Sequence, residues 1–438
     1  MKPRLLGLWQ SRLSGTLASL YALYAVNYLC PLVLLAYLAR TLGPQAWGQY
    51  VFADACARVA QVLVEYGFHL SGTREVAGNV NHREARARIV SGVIGAQLVL
   101  AASAVAALGI LATCSTPFRN LAPLLPGGAL WAVSAAMSPI WYFQGVQRLG
   151  RMVAIDVATK LASLCGILCL VREPADNWKV LTVQGGCALL SLLLGYRMVF
   201  RDVPLVMPRV AMIQESLRSG RALFLSKAGV LLYTVANPVI ASFCVGPREV
   251  GYFAAADRIC RAAVNSLHPM NQAFYPRIVQ LNAISRSLAA RFAIQAGAAM
   301  LAYNSVTSAV LFFGADALVR IVVGPQYAAS VGLLRIFALI PIANAVSNLL
   351  GLQWMIALRM DHAYLGVSIS AGLTNLVLMP RLAGAYGLPG MSWAVVAAEA
   401  LAATAIYIIL ALRGADPLGE VLRARRRNVP PIDGSQPC

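Results

Sequence analysis

Asp54 and Arg58 stand four residues apart inside a long apolar stretch, and Asp257 and Arg261 repeat that spacing 203 positions later. Asp156 and Lys160 form a third such couple. Four residues is about one helical turn, so each acid shares a helix face with its base. Arg258 adds a further base beside the second couple, and Lys227 has no acid near it in sequence. An ionised side chain at mid-bilayer costs at least ~2.5 kcal/mol, so these groups should face a bundle interior or water. Two readings stay open. The couples neutralise themselves and serve only insertion and packing, or Arg58, Lys160, Lys227, Arg258 and Arg261 line a cavity that attracts an anion. In the second reading Asp54, Asp156 and Asp257 hold those cations in place or exchange protons. Counting Arg335 among the bases and Glu65 and Glu399 among the acids, the spans hold one positive charge in excess. The preference for arginine, 32 against 4 lysines, suits phosphate, which the guanidinium fork binds through two hydrogen bonds.

The elements that must carry these residues are membrane-spanning helices. The chain is 59% hydrophobic and 12% charged, with a mean hydropathy of +0.68, well beyond what a water-soluble domain of this size shows. Residues 14–39, 89–118, 292–315 and 336–358 carry no charge, and each reaches the roughly 20 residues that cross a bilayer. The expected fold is all-α and integral to the membrane, with twelve transmembrane helices in two pseudo-symmetric six-helix bundles. Repetition supports the halving: Gly43, Pro44, Gly48, Ala53, Asp54 and Arg58 return as Gly246, Pro247, Gly251, Ala256, Asp257 and Arg261. Internal repeats of this kind belong mainly to secondary transporters. The hydrophilic connector at residues 197–221 sets the expected bundles at 1–205 and 206–438, the latter ending in a short basic tail. Pro31, Pro139, Pro238, Pro269, Pro341 and Pro380, within or near the ends of spans, each permit a bend.

Charge placement decides what the formal +19 means. With both termini cytoplasmic, the inner segments hold 23 Lys and Arg and the outer ones 7. This asymmetry sets topology and leaves nucleic acid without a claim on the basicity; anionic lipid headgroups account for it. The first apolar run reads as a retained helix rather than a signal peptide. Nine cysteines contain no C-x-x-C pair, so neither a disulfide framework, a metal nor another cofactor is expected. His69, His82, His268 and His362 form no constellation with acids or serines, and the outer loops are short, so no enzyme activity is expected.

Three segments resemble the bacterial polysaccharide flippases (Wzx type), in the superfamily that also holds the multidrug and toxin extrusion (MATE) transporters. The run 66–77, from Tyr66-Gly67-Phe68 through Arg74 to Ala77, resembles the family's segment closing the second helix. Pro139-Ile140-Trp141-Tyr142-Phe143-Gln144-Gly145 resembles its P-x-W-F-F-Q-G run after the fourth. Gly251-Tyr252-Phe253 through Asp257-Arg258-Ile259, continuing to Arg277, resembles its eighth helix. Arg74, Gln144, Gly145 and Arg277 are the motif positions in these segments. The family's acid after Q-G-x is Gln147 here, and Asp257 stands where Glu is common.

The resemblance implies a MATE-like flippase in the bacterial inner membrane. Its cargo would be an undecaprenyl-diphosphate-linked oligosaccharide bound for O-antigen, capsule or exopolysaccharide, moved by alternating access through a cationic cleft. Membrane lipids, a polysaccharide polymerase and a chain-length regulator are the implied partners. The rival within the fold is a cation-coupled small-molecule or multidrug exporter, which would want a pocket of acids and aromatics. The rival outside it is a membrane enzyme of polysaccharide assembly.

Overall fold

The structure is a computed structural model describing the backbone of residues 2–234 and 236–427; the side chains of residues 2–29, 222, 226–236, 268, 269 and 424–427 lie outside the description. The described residues form helices joined by turns, with no strand among them. Among the described residues, six helical segments are long and apolar enough to cross a membrane by length and composition: Arg83–Cys114, Leu149–Leu170, Pro174–Asp202, Arg286–Phe313, Ser330–Met355 and Asp361–Arg423. The chain is therefore an all-helical, multi-pass integral membrane protein.

Two compact units arise from the packing. The first comprises residues 1–255 with 321–327. It begins with α1 (Lys2–Glu65), α2 (Phe68–Gly78), α3 (Arg83–Cys114), α4 (Thr116–Arg119), α5 (Leu125–Ala136) and α6 (Ile140–Gly145). It continues through α7 (Leu149–Leu170), α8 (Asn177–Asp202), α9 (Val210–Thr234), α10 (Ala236–Cys244) and the start of α11 (Pro247–Asn265). The second unit, residues 256–320 and 328–438, holds the rest of α11, then α12 (His268–Ile284), α13 (Arg286–Phe313) and most of α14 (Ala315–Val322). After α14 come α15 (Ser330–Phe337), α16 (Ile340–Ser347), a π-helical turn at Asn348–Met355, α17 (Asp361–Leu412) and α18 (Pro417–Arg427). The first unit takes in α9 and α10 because α9 packs on α2 and α3, and α10 packs on α1.

Each long helix breaks at a glycine that a proline follows within two residues, Gly43 before Pro44 and Gly387 before Pro389. At 64 residues α1 is far longer than one crossing requires, and its helical path is interrupted at Gly43 (φ 70°, ψ 172°). The 52-residue α17 is interrupted in the same way at Gly387 (φ 63°). Pro31 and Pro380 lie within those helices without such a break, since the ring fixes φ near the helical value even while removing a hydrogen bond. Pro139 caps α6, and Pro238 and Pro341 sit in the first turns of α10 and α16, where a missing N–H costs least. The expected bends at these positions are thus helix starts. Pro269 lies outside the described side chains.

Small residues set the packing of the first unit. A Cβ on Gly127 would lie 2.6 Å from Thr182 Oγ1, and one on Gly185 would lie 3.0 Å from the Trp131 nitrogen, so α5 and α8 approach at backbone range. Near the α2–α6 seam the core is larger: Phe68, Trp141, Tyr142, Phe143, Met152 and Val199 are buried together. Gly72 fits under the Trp141 ring, and Gly145 fits against Val76 at 2.8 Å for a hypothetical Cβ.

Candidate functional site

The three couples form as helical spacing dictates. In α1, Arg58 Nε donates to Asp54 at 3.1 Å; in α7, Lys160 Nζ donates to Asp156 at 2.7 Å. In α11, Arg261 Nε lies 3.0 and 2.9 Å from the two carboxylate oxygens of Asp257. One polarity runs through all three. The acid is the inner partner, with side-chain exposure of 5%, 14% and 9%, while Arg58, Lys160 and Arg261 keep 48%, 43% and 33%. Each base is held from behind by a sunken carboxylate and shows its outer edge. Arg58 has a second hold, its guanidinium carbon lying 5.2 Å from the centre of the Trp131 ring on α5, a cation–π distance.

The remaining expected residues fall into two groups. Arg258 is half-buried on α11 and is engaged in an interaction of its own; the side chain of Lys227, on α9, lies outside the description. Arg74 on α2, Gln144 on α6 and Arg277 on α12 are exposed. Gly145, by contrast, is buried, and its role is steric: no side chain fits between α6 and α2. Tyr66 (φ 45°) and Gly67 (φ 81°) separate α1 from α2, so the motif at 66–77 is a break followed by a new helix.

One charged cluster escapes the spacing argument because its members lie 56 to 116 residues apart. Arg86 Nη1 donates to Tyr142 Oη at 2.6 Å and to Asp202 Oδ2 at 2.6 Å, and the Tyr142 hydroxyl donates to the same carboxylate. Arg83 adds a 2.8 Å hydrogen bond to the Asp202 carbonyl. The ends of α3, α6 and α8 are thereby tied together. Burial is the main influence pushing the Tyr142 phenol pKa up, and its hydrogen bond to Asp202 adds to it, so the hydroxyl keeps its proton. The sequence offered one signal: Asp202 and Glu215 are the only acids among the five arginines of the connector. Among the described residues no group of three His, Cys, Asp or Glu side chains could hold a metal ion.

The three couples belong to a multi-pass helical membrane protein, and its overall fold has known counterparts. The lipid II flippase MurJ in its inward closed conformation matches with a TM-score of 0.71 at 12% identity, over 94% of this chain and 91% of that one. An outward-facing multidrug resistance MATE transporter of the MOP superfamily gives 0.55 at 14%, over 94% and 95%. These likenesses show the fold.

Sequence relatives narrow it. A family model described as "Polysaccharide biosynthesis protein" matches residues 15–282, more than half of the chain, and the protein belongs to that family. A putative O-antigen transporter of Escherichia coli (strain K12) is 27% identical over 377 residues, 86% of this chain and 91% of its own. A putative O-antigen transporter of Shigella dysenteriae is 28% identical over 393 residues, covering 87% and 96%. The resemblance to the polysaccharide flippases that the motifs suggested is borne out.

Proposed function

We propose that this chain flips an undecaprenyl-diphosphate-linked oligosaccharide across the bacterial inner membrane for surface polysaccharide assembly. A diphosphate with a glycan attached cannot enter hydrocarbon, whereas its prenyl tail belongs there. The protein must therefore give the head a wet, positively charged path and leave the tail in lipid. One observation carries this reading: in all three couples the carboxylate is sunk and the cation is presented. Couples that served insertion alone would hide both partners. A presented cation within a span is costly against lipid, so its outer edge belongs against water and whatever anion passes there. Arg58 and Lys160 in the first unit, with Arg261 in the second, are the side chains that meet the diphosphate or acidic sugars; Arg258 and Lys227 are further candidates. Asp54, Asp156 and Asp257 position them.

Around these side chains the reading keeps twelve spans, with α1 and α17 each crossing twice, both termini cytoplasmic, and alternating access as the means of transfer. The division of the repeat near residue 205, and a polymerase and chain-length regulator as partners, belong to the same reading. Family membership and the names of the two relatives support the substrate class. The test is translocation of a labelled prenyl-diphosphate sugar between leaflets of proteoliposomes. The wild type should transfer the label, and Arg58→Gln with Arg261→Gln should abolish transfer per inserted molecule. Full transfer by the double variant would sink the role of these cations.

A further inference from the structure

The two copies of the internal repeat touch each other, and they do so through their glycines. A Cβ on Gly48 would lie 1.8 Å from the Pro247 carbonyl oxygen, and one on Gly251 would lie 2.0 Å from the Pro44 carbonyl oxygen. Pro44 and Pro247 are equivalent by the 203-residue offset, as are Gly48 and Gly251. The contact is thus reciprocal: each glycine faces the proline carbonyl of the other copy. All four residues belong to the first unit. A virtual Cβ aimed so closely at an oxygen means that a glycine Cα–H points at it, a weak Cα–H···O=C bond that no other residue type permits at this range.

What surrounds the crossing is built to close. One turn beyond Gly48, Phe52 packs edge-on to Phe118 at 5.1 Å and to Phe243 at 6.4 Å, an aromatic plug contributed by α1, α4 and α10. At the end of the first leg of α1, the segment 321–327 acts as a strap. The Tyr327 hydroxyl donates to the Ala39 carbonyl at 3.0 Å, Gln326 donates to the Arg40 carbonyl at 3.3 Å, and Arg40 donates to the Ile321 carbonyl. By the charge asymmetry of the loops this end is the outer one.

We infer that the Gly48–Pro247 and Gly251–Pro44 crossing is the outer gate of the transport path, a clasp closed by backbone against backbone. Such a clasp suits a gate that must open repeatedly. Weak Cα–H contacts break at small cost, no long side chain has to be reordered, and the reciprocal geometry offers a single closed register. The inference rests on the transport reading, and it makes a prediction that reading alone does not: any side chain at either glycine holds the outer end open.

The experiment keeps Cys56 as the sole cysteine, the other eight replaced by serine. Cys56 lies just over two turns beyond Gly48 on α1, deeper in the span, and it is 6% exposed. In intact cells a membrane-impermeant maleimide should label it slowly when the crossing is native. Gly48→Leu and Gly251→Leu should each raise the labelling rate about tenfold or more, because an overpacked contact shifts a closed state towards an open one. Gly48→Ala and Gly251→Ala should give smaller, mutually equal increases, and combining them should add little, since both open one crossing. Gly109→Ala, whose added methyl meets nothing within 4 Å, is the control for a glycine lost from a span and should leave labelling unchanged. Labelling that stays at the wild-type rate in variants present in the membrane at wild-type level would overturn the gate. Clearly unequal effects at the two glycines would overturn its reciprocal form. Glycan translocation is scored separately, so a failure of the transport reading with raised labelling leaves the clasp standing.

Discussion

Asp54 with Arg58 and Asp257 with Arg261 are the same couple written twice, yet the two bases end in different company. Arg58 touches one carboxylate oxygen of Asp54 and lies over Trp131, with about half of its side chain exposed. Arg261 spans both oxygens of Asp257 and is exposed by a third. Spacing along a helix fixes which acid meets which base. Neighbouring helices then decide how much of the base is left to act elsewhere. On this view Arg58 is the cation held ready for a passing anion and Arg261 the more firmly seated one.

The comparison breaks most readily at the seated couple. Asp257→Ala should lower stability by about 3 kcal/mol or more, because it leaves a largely enclosed cation without its counter-charge; the thermal unfolding midpoint in detergent measures it. If Asp54→Ala lost as much, the two couples would be equally structural. Next in size, Arg58→Gln should cut glycan translocation at least tenfold with membrane level unchanged, and Arg58→Lys should restore part of it, since charge survives but the planar fork does not. Arg261→Gln should show a larger share of its loss as reduced membrane level. The smallest effect belongs to Trp131. Removing the ring in Trp131→Leu forfeits a cation–π contact of about 0.5–1 kcal/mol at a half-exposed site, so translocation should fall two- to fivefold, whereas Trp131→Phe should fall less. A fall at Trp131 that persists in an Arg58→Gln background would mean that the ring meets the cargo itself.

Much of this was legible in the sequence because it is local or repeated. The i,i+4 couples need only a helix, and the 203-residue offset needs only comparison of the chain with itself. The breaks at Gly43 and Gly387 were legible too, since twelve spans need a turn at each place and Pro44 and Pro389 stand one and two residues on; what the apolar run hid is that Gly48, five residues past Gly43, packs. The Arg86, Tyr142 and Asp202 cluster was out of reach, because it depends on three helix ends meeting. Position along the chain showed Arg86 as one more inner-loop arginine, and only the fold revealed its acid. Gly145 shows the converse: the motif marked it as functional, and the structure shows that it is absent of side chain so that α6 can lie on Val76.

That three-way tie has a mechanical corollary. With Arg86 and Tyr142 both fastened to Asp202, the tips of α3, α6 and α8 are held to one another, like the rim of one plate. In the proposed transport cycle, with both termini cytoplasmic, a rearrangement that admits cargo would pivot around this rim instead of prising it apart, and the arginines anchored along it would keep a constant electrostatic face towards the inner leaflet.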